Sequence, residues 1–128
     1  MSAYDEIGEA GIEAVLRELY DLLFDDVMVG FLFRGKDKEH IVRQQVAFTA
    51  AFLGGPQLYT GKAMPEAHRA LPLLPGHFDR RHHLLRTVLQ RRGVPAAAAE
   101  EWLRVDAGLR TAVLRSGESA RAEARKPE

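Results

Sequence analysis

The chain is interrupted most sharply at Gly54-Gly55-Pro56. Glycine accepts the positive φ that lies past the last turn of a helix, and proline cannot continue the hydrogen-bond ladder. A helix arriving from the N-terminal side must end here. A structured loop through Tyr59 and Gly61 follows, and Pro65 suits the first turn of a short helix. On that helix Met64, His68 and Leu71 fall at i, i+4 and i+7, so one histidine stands in the middle of an apolar face. Two readings are open for His68: a core imidazole bonded to a neighbouring carbonyl, or a metal ligand.

The segments on either side are helical. Between residues 12 and 24, Ile12, Leu16, Leu19, Tyr20 and Leu23 share one face, and Glu13, Arg17, Glu18 and Asp21 the other. Val27 to Phe33 is short and apolar but has no partner strand elsewhere, so it reads as a helical turn or corner with Phe31 and Phe33 packed inward. Asp37 suits an N-cap for a helix from about Lys38 to Phe52. There Ile41, Gln45, Phe48 and Phe52 form an apolar stripe with an amide in its centre. A buried amide without a partner costs about 1–3 kcal/mol. Either something polar meets Gln45 inside, or the stripe is rotated and Gln44 and Gln45 are half exposed.

Beyond the proline-bounded connection Leu71 to Gly76, a helix over about 77–92 carries Phe78, His82, Leu85 and Leu89 inward, with Leu84 and Val88 beside them. Arg80, Arg81, His82 and His83, with Asp79 nearby, read as a solvated polar end, a second metal site being the alternative. Gly93-Val94-Pro95 breaks this helix and opens the next, over 96–114, with Trp102, Val105, Leu109 and Val113 on its core face. The chain is thus all-α with five or six helices. Residues 1–116 form one domain, and 117–128, whose only apolar residue is alanine, form a disordered tail.

Several function classes drop out. Lys+Arg and Asp+Glu both number 18, which gives no electrostatic footprint for nucleic acid or an anionic membrane. The absence of cysteine removes disulfides, thiolate nucleophiles and cysteine-ligated metals. The start has neither a basic nor an apolar leader region, and no apolar run is long enough to span a bilayer, so a soluble cytoplasmic domain is expected. No nucleotide loop, nucleophile elbow or H-E-x-x-H is present. What remains is Tyr20, Gln45 and His68, one inward polar side chain on each of three helices. Together they suggest a pocket around a polar or metal-centred ligand.

These residues resemble the truncated haemoglobins, over about Tyr4 to Leu114. The resemblance is carried by Tyr4-Asp5-Glu6-Ile7-Gly8, Leu19-Tyr20, the Phe31 to Phe33 corner, Gln45-Val46, Phe52-Leu53-Gly54-Gly55-Pro56, Tyr59-Thr60-Gly61, Met64 and Ala67-His68. It is closest to the first group of that family, while the Leu71 to Arg80 run is more similar to the third. The resemblance implies a two-over-two helical sandwich around haem b, with His68 as the proximal ligand to the iron. It implies Tyr20 and Gln45 as distal hydrogen-bond donors and an apolar Ile41 at the distal gate. Phe33, Phe48, Met64 and Phe78 would pack on the ring, and Tyr59 and Lys62 would lie near the propionates. Dioxygen, nitric oxide and carbon monoxide are the implied ligands. Nitric oxide dioxygenation with a reductase partner is the implied catalytic role, and a gas sensor or oxygen carrier without turnover is the alternative. Arg81 stands where the first group has a small apolar residue. Its guanidinium is expected at a propionate or in solvent rather than in the distal chemistry.

Overall fold

The structure is a computed structural model and describes residues 2–56 and 73–114. The first helix, α1, spans Ala3–Asp25. Ser2 caps it: its hydroxyl accepts from the Asp5 N–H at 3.1 Å, and the Asp5 carboxylate accepts from the Ser2 N–H at 3.2 Å. Gly8, with φ +76°, kinks α1 near its start. The regular apolar face begins beyond that kink, at Ile12, and continues through Leu16, Leu19, Tyr20 and Leu23, all buried.

Val27 to Phe33 is a corner, ending in a 3-10 helix over Gly30–Phe33. Val29 and Leu32 are its buried residues, and Phe33 is half-buried. Phe31, expected inward, is half exposed at 49%. The reason is the tight turn: at three residues per turn, side chains two apart point well away from each other. The corner is anchored by Asp26, which accepts from the backbone N–H groups of Met28 and Val29 and from the Arg80 side chain.

Helix α2 spans Lys38–Phe52, and the Asp37 side chain caps it by accepting from the His40 N–H. Its buried residues are Val42, Phe48, Thr49 and Ala50, so the helix is rotated slightly from the expected stripe. Gln44 and Gln45 are both half-buried, and Phe52 is half exposed. The Gly-Gly-Pro stop behaves as expected: Gly54 takes φ +96°. Gly55 is required by contact as well, since a Cβ there would come within 2.7 Å of the Ala50 carbonyl oxygen and 2.9 Å of the Tyr4 ring.

Helix α3 spans Pro75–Arg91 and buries Phe78, Leu84, Leu85, Val88 and Leu89. After the Gly93 turn, Pro95 caps α4, Ala96–Gly108, and helical residues continue to Leu114. Helix α1 packs on α2, α3 and α4, and α3 packs on α4. The described residues form an all-α, two-over-two arrangement with no strand, α1 and α2 over α3 and α4. The core runs between the layers. No helix among the described residues is long and apolar enough to cross a membrane. The expected helix at Pro65 and the expected tail from 117 lie outside the described residues.

Candidate functional site

A cavity opens between the layers, with an empty volume of about 860 Å³ including its open mouth. Leu23, Val29, Leu32, Leu73, Trp102 and Val113 are among its apolar walls. Of the residues singled out in the sequence, Tyr20, Phe33, Gln45, Phe48 and Phe78 all line it. Ile41 does not; it packs half-buried against the core. His68, Tyr59, Lys62 and Met64 lie outside the described residues.

Tyr20 is the best-defined polar group in the cavity. It is 4% exposed, and its ring meets Phe33 edge-on at 5.9 Å between centroids. Phe33 in turn stacks on Phe24 at 4.9 Å. These contacts fix the phenol ring, so its hydroxyl has one place to point.

At the polar start of α3, Asp79 and His83 are exposed, but Arg80, Arg81 and His82 are drawn inward. Arg80 donates two hydrogen bonds to Asp26, at 3.1 and 2.7 Å. Arg81 lies along the cavity wall and binds Asp106 of α4 at 2.6 Å and the Tyr20 hydroxyl at 3.4 Å. The second Asp106 oxygen meets His82 Nδ1 at 2.7 Å. Arg81 thus engages the tyrosine expected on the distal side as well as an acid of α4. No group of three or more metal-ligating side chains comes together among the described residues.

Asp106 is the functional-site residue that sequence reasoning missed. Burial pushes its carboxyl up, but the Arg81 charge and the hydrogen bonds from His82 and Arg81 outweigh this and hold it below the usual carboxylate range. For Arg81, burial pulls downward, and the attraction of the Tyr20 oxygen and the Asp106 carboxylate, with hydrogen bonds to both, pushes it above its ordinary value. Asp26 is lowered too, chiefly by its hydrogen bonds from Arg80. A carboxylate lowered in the folded state adds stability above its unfolded pKa, about 3.9, and that stability is lost as pH falls through and below this value. Denaturation measured against pH should therefore show an acid-side loss of stability, and Asp106→Asn should flatten it.

The chemistry of the cavity suits a large apolar ring with a small polar ligand beside it: aromatic and aliphatic walls, with a few hydrogen-bonding groups inside. The bacterial-like globin family model matches residues 2–115. The chain belongs to the bacterial-like globins. Its relatives there are truncated haemoglobins. It is 34% identical to the group 1 truncated hemoglobin of Tetrahymena pyriformis, over 80% of this chain and 85% of that one. With the group 1 protein GlbN of Mycolicibacterium paratuberculosis it shares 33% identity, over 80% and 76%. The solved Fe(III) structure of the Tetrahymena pyriformis protein superposes with a TM-score of 0.81 at 32% identity, covering 88% of this chain and 97% of that one. A 2/2 hemoglobin of Synechococcus, solved in the cyanomet state with covalently attached heme, gives 0.85 at 24% identity, covering 90% and 99%, and so shows the same fold. As a globin of this kind the chain is a haem protein, and binding of small gases such as dioxygen at haem iron is its business. The cavity fits that cofactor.

Proposed function

We propose that this globin binds dioxygen and nitric oxide reversibly on the Tyr20 side of a haem b held by His68, and that it converts nitric oxide to nitrate. When bound, ferrous haem supplies the iron at which dioxygen binds and the electron with which nitric oxide and dioxygen close to nitrate. A reductase partner is then needed to return one electron per turnover. The observation that carries this reading is the placement of Tyr20, a buried phenol whose ring is fixed by Phe33 inside a cavity with mainly apolar walls. Its hydroxyl, with the Gln45 amide, donates to a ligand that accepts hydrogen bonds. In a dry pocket such bonds are stronger than in water. Phe33, Phe48 and Phe78 are the wall residues that would hold the ring, with Met64 on it and Tyr59 and Lys62 at the propionates.

The comparisons support the distal assignment through spacing. The Tetrahymena pyriformis protein has been solved with a tyrosine changed to phenylalanine and with either of two glutamines changed to glutamate. Those glutamines stand 21 and 25 residues after the tyrosine, and here Ile41 and Gln45 stand at the same distances after Tyr20. On that spacing this chain keeps the tyrosine and the second glutamine and has isoleucine for the first. A gas sensor or carrier without turnover is the second reading. It is favoured by the Tyr20–Arg81–Asp106 chain, which connects the cavity to two further helices.

Two experiments test the proposal. His68→Ala should lose most haem retention, read as haem absorbance per protein after gel filtration; full retention would mean that another residue holds the iron. Nitrate formed per haem, when nitric oxide is added to the oxygenated protein, separates dioxygenation from simple carriage. Stoichiometric nitrate is expected, and slow autoxidation without nitrate would favour the second reading.

A further inference from the structure

We propose that Arg81, braced by Asp106, is a positioning residue that makes the Tyr20 hydroxyl an obligate donor into the cavity and biases the site toward ligands carrying negative charge. This rests on the reading of Tyr20 as the distal donor. A guanidinium has donors and no acceptor, so in the 3.4 Å contact the Tyr20 oxygen must accept from Arg81 Nη2. A hydroxyl has one proton, and that proton is then left for another acceptor. A cation on the phenol oxygen also polarises the O–H bond toward that acceptor.

Arg81 is held where it can do this. Its other nitrogen, Nη1, is bound to Asp106 Oδ1 at 2.6 Å, and Asp106 is itself fixed by His82 at Oδ2. The Arg81 and Asp106 side chains are only 21% and 8% exposed. The guanidinium carbon also lies 5.7 Å from the centre of the Tyr20 ring, so the cation accompanies the phenol. By contrast, a second α3 arginine pair, Arg80 with Asp26, secures the corner and does not line the cavity. A ligand whose near atom is negative gains from a donor polarised in this way, whereas neutral carbon monoxide gains little.

The test uses the haem-loaded full chain, with fluoride as the anionic probe of the ferric form and carbon monoxide as the neutral probe of the ferrous form. Arg81→Met should lower fluoride affinity at least tenfold and leave carbon monoxide affinity within twofold. Arg81→Met leaves a buried carboxylate short of a partner, so Arg81→Met/Asp106→Leu, which removes the pair together, should give the same result. In a Tyr20→Phe background, adding Arg81→Met should cost less than a further twofold. The proposal is overturned if both Arg81 variants keep full fluoride affinity. It is also overturned if carbon monoxide affinity falls in parallel, or if a further tenfold loss appears in the phenylalanine background. Haem uptake by the unaltered protein keeps the two levels apart: without it the haem reading itself fails, and with it only the role of Arg81 is at issue.

Discussion

Replacing Tyr20 with phenylalanine raises the rate of dioxygen dissociation at least tenfold. The substitution removes one oxygen atom and keeps the ring, so the edge contact with Phe33 and the buried position survive. What is lost is the hydroxyl inside a mainly apolar cavity. A tenfold change corresponds to about 1.4 kcal/mol, a modest demand for a hydrogen bond protected from water. Stopped-flow displacement of dioxygen by carbon monoxide measures the rate. An unchanged rate would mean that the phenol points away from the ligand.

The largest loss of stability should come from Asp106→Ala, at about 3–5 kcal/mol, because it leaves Arg81 as a partly buried charge without its carboxylate. His82 loses its partner in the same step. The contrast is Asp21→Ala. Asp21 pairs with Lys38 at the same close range, 2.7 Å, but the two side chains are 62% and 46% exposed. Exposed pairs contribute about 0–1 kcal/mol, so little should change. Urea denaturation of the two variants side by side tests whether burial, rather than distance, decides what an ion pair is worth. Equal losses would contradict this account of the Asp106 cluster.

Much of the fold is legible in the helical stripes, since each requires a partner surface and no stretch offers a strand to pair. The Asp37 cap and the Gly54 stop are legible for the same reason: side-chain chemistry at one position dictates the backbone there. The corner was less so. Two phenylalanines two residues apart look alike on paper, and only the 3-10 geometry turns Phe31 outward while Phe33 stacks on Phe24. That Tyr20, Phe33, Gln45, Phe48 and Phe78 face the cavity was readable because each interrupts or completes an apolar face.

Asp106 carried the same signal as Gln45 and went unread. Trp102, Asp106, Leu109 and Val113 fall at i, i+4, i+7 and i+11, the spacing of Ile41, Gln45, Phe48 and Phe52. An acid within an apolar stripe of α4 and an arginine between Phe78 and Leu85 on α3 called for each other. Pairing them needs the knowledge that α3 and α4 pack together, and that is a tertiary fact. Ile41, assigned to the gate by resemblance, lies at the edge of the buried side of α2, which is centred on Val42 and Thr49.

The most direct measurement is the visible absorption spectrum of the purified protein, as isolated, after reduction, and after carbon monoxide is added. A haem Soret band that shifts and sharpens with carbon monoxide is the expected result. No Soret band, even after hemin is supplied, would contradict the account, because the cavity around Tyr20 would then hold something other than haem.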